Sequence, residues 1–194
     1  MKLSAIFLFS CLMVGTAFAQ KNSFSPANTK NNLKIGLNTS FVGDRFGFAV
    51  GWEFKVANKQ SLQVELLPIF LKTNYEQVNG FGVALSYRKY ISKNKEGLQG
   101  IYFSPAIKIS SLKESYGYNS SSNIPDKTNH LNVAFLFGRQ WVYKSGFSLD
   151  INGGLGYYRF NENGRNTYPS TRPVLDIINY GLSPNLNIKV GYAF

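Results

Sequence analysis

The segment Leu186-Asn187-Ile188-Lys189-Val190-Gly191-Tyr192-Ala193-Phe194 alternates strictly between apolar and polar or small side chains and finishes on an aromatic ring. A period of two puts Leu186, Ile188, Val190, Tyr192 and Phe194 on one face of a strand, and Asn187, Lys189, Gly191 and Ala193 on the other. The same alternation recurs upstream. Over 33–41, Leu33, Ile35 and Leu37 oppose Lys34, Gly36 and Asn38; over 46–56, Phe46, Phe48, Val50, Trp52 and Phe54 oppose Gly47, Ala49, Gly51, Glu53 and Lys55. Over 62–71 the pattern runs through Leu62, Val64 and Leu66 against Gln63 and Glu65, then fades near Pro68. Further strands are predicted over 81–90, 101–111, 131–142, 147–158 and 180–194, eight in all. Each has about the length that a tilted strand needs to cross a bilayer.

Connections support the same architecture. Those after even strands are compact, namely 57–60, 93–97 and 143–146, whereas 112–129 and 160–177 are long. Short periplasmic turns and longer extracellular loops are the asymmetry of an outer-membrane barrel. The expected fold is all-β, an eight-stranded antiparallel up-and-down transmembrane β-barrel over 33–194.

Alternation alone does not say which face is inside. Here the polar face is rich in Gly, Ala, Ser and Asn, which weaken a solvent-exposed strand but make room in a narrow lumen. The apolar face is therefore read as outward, towards lipid. Large polar residues then fall inside: Lys34, Glu53, Lys55, Glu65, Arg88, Lys108, Asp150 and Lys189. Buried charges must pair to be tolerated, so these eight are expected to form a network that fills the lumen. Aromatic residues at strand ends, including Phe41, Phe46, Trp52, Tyr87, Trp141, Tyr143, Phe147, Tyr157, Tyr180, Tyr192 and Phe194, are expected to form interfacial girdles.

The amino-terminal segment reads as an export signal. Lys2 precedes an apolar run from Leu3 to Val14, and Ala17-Phe18-Ala19 forms a small-x-small cleavage site before Gln20. A segment 1–19 removed on export leaves 175 of 194 residues. It also removes Cys11, the single cysteine, and with it disulfides, thiol catalysis and cysteine metal sites. The polar stretch 20–32 is expected to be a flexible periplasmic tail.

The whole chain carries a formal charge of +11. Basic balance often signals nucleic acid, but export and the absence of a clustered basic run argue against it. Lysines at turns, lumen and rims suit the phosphates of anionic lipids instead. Outer-membrane lipid is the first partner expected; an extracellular or envelope protein is a second.

Several of these residues resemble small outer-membrane barrels of the OmpA, OmpX and OmpW type. Phe46-Gly47-Phe48-Ala49-Val50-Gly51-Trp52-Glu53-Phe54-Lys55, Tyr87-Arg88-Lys89-Tyr90-Ile91 and Gly100-Ile101-Tyr102-Phe103-Ser104-Pro105 are similar to an uncharacterised barrel family of Bacteroidota, a domain of unknown function. That resemblance implies an eight-stranded outer-membrane barrel and assigns no substrate or catalytic residue. The end of the chain resembles the signal read by the barrel-assembly machinery, through Val190, Tyr192 and Phe194.

Catalytic signatures are sparse. His130 is the single histidine, and the chain carries no nucleophile elbow, metal-ligand spacing or phosphate loop. Spacing alone would allow His130 to serve Ser110 or Ser111. No cofactor is expected. Loops offer a better place for binding, and Tyr116, Tyr118, Arg165, Tyr168 and Arg172 are the candidate contact residues there. The reading is a non-enzymatic envelope barrel with a structural or surface-interaction role. Its alternatives are a narrow-pore or lateral-diffusion conduit and a soluble periplasmic ligand-binding barrel.

Overall fold

The computed structural model describes residues 25–40, 45–72, 76–93, 95–116, 126–162, 165–167 and 181–194. The leader expected over 1–19 lies outside them. Nine strands run in chain order: β1 (Asn31–Ser40), β2 (Arg45–Ala57), β3 (Gln60–Lys72), β4 (Glu76–Tyr90), β5 (Gly100–Tyr116), β6 (Asp126–Val142), β7 (Phe147–Glu162), β8 (Arg165–Thr167) and β9 (Leu182–Ala193). Each pairs antiparallel with its neighbour, β7 pairs β9, and β9 returns to β1. Eight strands therefore close a barrel. The short β8 lies outside that count, paired only with the far end of β7 as a hairpin.

The register fixes the size of the barrel. Asn32 pairs Glu53, and the row continues through Gln63, Ser86, Ala106, Ala134, Gly156 and Ser183. Ser183 lies two residues before Asn185, the partner of Ser40, so one circuit from position 32 returns at position 42. A ten-residue stagger over eight strands tilts them by about 40° and gives a backbone radius of about 8 Å, from ordinary strand rise and spacing. Such an interior is filled by side chains.

Side chains sort as the alternation requires. Leu33, Phe48, Trp52, Phe81, Phe135 and Leu155 face outward at 51–61% exposure, while Lys34, Glu53, Gln63, Arg88, Gln140 and Asp150 are buried inside. This is the inverse of a water-soluble barrel. The exposed apolar surface is continuous around the wall and far larger than soluble proteins leave open.

The structure departs from the sequence reading in four places. Strand β3 does not lose its alternation at Pro68; Leu67 and Ile69 point inward and Phe70 outward, and the pattern fades only because both faces are apolar there. The expected loop over 112–129 is shorter, because β5 runs on to Tyr116 and β6 begins at Asp126. The expected loop over 160–177 likewise begins with strand, as β7 reaches Glu162 and turns back into β8. The expected tail has defined structure from Ser25: a 3-10 turn at Pro26–Asn28 leads into β1, which starts at Asn31, and Thr29 and Asn32 are buried.

That amino-terminal segment closes one mouth of the barrel. Thr29 Oγ1 donates to the Pro26 carbonyl at 2.8 Å and accepts from the Leu98 amide at 3.1 Å. Leu98, on the connection between β4 and β5, is fully buried against Tyr90 and Tyr102. Gly97 beside it has φ +71°, and a Cβ there would lie 2.3 Å from the Pro26 carbonyl oxygen. Glycine is what lets the two segments meet.

Candidate functional site

Within the closed lumen, four charges sit on four different strands. Lys34 on β1, Glu53 on β2, Arg88 on β4 and Asp150 on β7 are each no more than 2% exposed. Lys34 Nζ lies 2.6 Å from Glu53 Oε2 and 2.9 Å from Asp150 Oδ2. Arg88 Nη1 lies 2.7 Å from the same Asp150 oxygen and 3.8 Å from Glu53 Oε2. Two cations face two carboxylates, so the group is neutral as a whole.

Neutral partners complete it. Glu53 Oε1 accepts from Ser61 Oγ at 2.5 Å and from Tyr90 OH at 2.6 Å, while Oε2 accepts from Gln140 Nε2 at 3.0 Å. Asp150 Oδ1 accepts from Tyr102 OH at 2.6 Å. The Arg88 guanidinium lies 4.4 Å over the Tyr102 ring, and Tyr102 meets Tyr90 edge-on at 5.4 Å. Gln140 also donates to the Leu98 carbonyl at 2.6 Å, which fastens the amino-terminal closure to the network. Both carboxylates thus have their oxygens occupied by donors, the condition under which buried charge is tolerated.

A second group lies higher. Lys189 contacts Glu65, and Gln63 bridges the groups by donating to Glu65 and accepting from Lys34 at 2.9 Å. Lys108 faces inward on β5 within electrostatic reach of Glu65 and Lys189. Above them, Leu67 packs with Ala49 and Ala84, and Ile69 with Val78 and Leu112. The interior is therefore charged and polar in the half nearer the amino-terminal segment and partly aliphatic in the other half.

Seven of the eight charged residues expected inside are brought to the lumen. Lys55 is the exception. The strand pairing slips between Lys55 and Ala57, and Lys55 sits half-exposed at the rim, outside the buried group. Gln63 and Tyr102, which the alternation places inward without marking them as partners, and Ser61, Tyr90 and Gln140, which sequence reasoning missed, supply the neutral partners of the network.

The remaining candidates are dispersed. Tyr116 and Arg165 fall on strand ends, with backbones in register with Glu76 and Glu162; Tyr118, Tyr168 and Arg172 lie outside the described residues, as do Phe41 and Tyr180 of the expected girdle. Val190 and Phe194 face outward at 40% and 55% exposure, and Tyr192 is half-buried. At the end closed by the amino-terminal segment, Arg139 covers the Trp141 ring at 4.9 Å, and Trp52 Nε1 donates to Asn31 Oδ1 at 3.3 Å.

His130 is buried on the inner wall. Its ring nitrogens lie 2.8 Å from Thr128 Oγ1 and 2.6 Å from Tyr158 OH. Ser110 is its register partner on β5 and faces the same inner wall, whereas Ser111 belongs to the opposite parity. Among the described residues, no three His, Cys, Asp or Glu converge as a metal site.

No protein-family model matches the chain, and no curated protein matches it. Among solved structures the chain is similar to "Crystal structure of Neisserial surface protein A (NspA)", with a TM-score of 0.44 and 11% identity over 86% of this chain and 96% of that one. The barrel architecture stands on the strand pairing described above.

Proposed function

We propose that the chain is a non-enzymatic outer-membrane barrel with a structural or surface-interaction role in the cell envelope. One observation carries this reading: the wall turns a continuous apolar belt outward and encloses its charges. In water such a belt would drive aggregation; in lipid it is the surface that needs no cover.

The filled lumen supports a closed barrel over a conduit. Tyr90, Leu98 and Tyr102 are packed across the periplasmic end, and the four-charge group lies immediately beyond them. Contact with other envelope or extracellular molecules then falls to the outer connections, where Tyr116, Tyr118, Arg165, Tyr168 and Arg172 lie. Val190, Tyr192 and Phe194 are proposed as the face read by the barrel-assembly machinery, since the wall leaves Val190 and Phe194 largely uncovered.

The test pairs gel mobility with conductance. Unboiled protein from the membrane fraction should migrate differently from boiled protein, should resist carbonate extraction, and should give no steady conductance in a planar bilayer. Release by carbonate would overturn the membrane reading. Steady single-channel steps would overturn closure and favour a conduit.

A further inference from the structure

Among the described residues the luminal charges do not balance. At membrane level the described inward-facing residues supply Lys34, Arg88, Lys108 and Lys189 against Glu53, Glu65 and Asp150, four cations to three carboxylates. Glu53 and Asp150 are taken by Lys34 and Arg88, and Glu65 is taken by Lys189. Lys108 is left over. Among the described residues its ammonium has no hydrogen-bond acceptor and no ion pair within 4 Å.

The wall beside Lys108 supplies more donors. Asn132 is its register partner on β6, only 4% exposed, and its Nδ2 has no acceptor. Lower on the adjoining wall, Asn187 donates to Asn152 Oδ1 at 2.7 Å, which leaves Asn152 Nδ2 as another buried donor without an acceptor. Unmet buried donors are costly, and Lys108 adds an unmatched cation beside them.

Part of the surface beside them is solvent-accessible. Ala106, Ala134, Gly154 and Gly156 line this stretch of β5, β6 and β7. Lys108, Ala106 and Gly154 remain half-exposed. For inward-pointing positions, that exposure means water-sized space within the barrel.

We propose that the outer half of the lumen binds a small inorganic monovalent anion of the halide class, held by Lys108 Nζ and the side-chain amide of Asn132. A single acceptor with no fixed direction satisfies both donors and cancels the excess charge.

The test uses the full chain refolded in detergent. Crystals soaked in bromide should show an anomalous bromine peak between Lys108 and Asn132. In solution the folded barrel should broaden the chloride-35 resonance. Lys108→Met should weaken that binding about tenfold, the scale of a lost charge-assisted hydrogen bond. Lys113→Met, which alters an exposed lysine of the same strand, should leave it unchanged. Absence of a bromine peak, with water alone in its place, would overturn the proposal, as would equal broadening in Lys108→Met. The bromide experiment on the unaltered chain decides the matter even where the variant fails to fold.

Discussion

Lys34 and Asp150 meet at 2.9 Å across the lumen although 116 residues separate them in the chain. The same ammonium also holds Glu53, so one side chain from β1 balances carboxylates from β2 and β7. Lys34→Met should leave two buried carboxylates with one cation and cost about 3–5 kcal/mol. Denaturant unfolding in detergent, followed by tryptophan fluorescence, checks this. Adding Glu53→Gln to Lys34→Met restores neutrality and should recover part of the loss; an additive double variant would show that the charges act independently.

The closure by the amino-terminal segment is a separate case. Gly97→Ala forces an unfavourable φ and drives a methyl into the Pro26 carbonyl, so it should cost about 1 kcal/mol or more and lift the segment around Thr29. Limited proteolysis of the folded barrel should then cut near Lys30. Leu98→Ala should cost about 2–4 kcal/mol by leaving a cavity under Tyr90 and Tyr102.

Lipid exposure is tested on the outer wall. Leu85 is 46% exposed between β3 and β5. Leu85→Lys should destabilise the barrel in lipid by about 2–4 kcal/mol. On a water-soluble barrel the same change would be near neutral, so unchanged stability in vesicles would count against a membrane-spanning wall.

Phe194 is held mainly by its backbone, which accepts from Lys30 and Asn31 at 3.1 and 2.9 Å and donates to the Asn31 carbonyl at 2.9 Å. Phe194→Ala should therefore change stability in detergent by no more than about 1 kcal/mol. Its effect should appear in cells, as less heat-modifiable barrel at equal synthesis. Equal yields of folded barrel from both chains would remove Phe194 from the proposed assembly face.

Much of the wall was legible because a period of two has only two outcomes, and the small residues beside Lys34, Glu53 and Arg88 marked their face as the inside. Strand ends were not. Lys113 and Asn129 look like loop residues because their strands continue past the apolar belt, where an outward polar side chain costs nothing. Leu67 and Ile69 erased the alternation by placing aliphatic groups inside. The partners of the network escaped for another reason: whether Gln140 and Tyr102 meet the charges depends on the stagger around the barrel, which no single segment encodes. Lys55 had the right parity and pairs in register with Ser61, but it sits at the rim, where the pairing slips just after it.

The return of β9 to β1 has a consequence for how this molecule comes into being. Asn32 pairs Ala193 and Leu33 pairs Tyr192, so the ladder joins the first strand of the barrel to its last. Until that ladder forms, each partial sheet ends in two rows of unmet amides and carbonyls, which hydrocarbon cannot solvate. Half a barrel is consequently not a stable resting place. If the wall is lipid-facing as proposed, the chain commits as a unit, with the slow kinetics of a topology whose decisive contacts are its most distant ones.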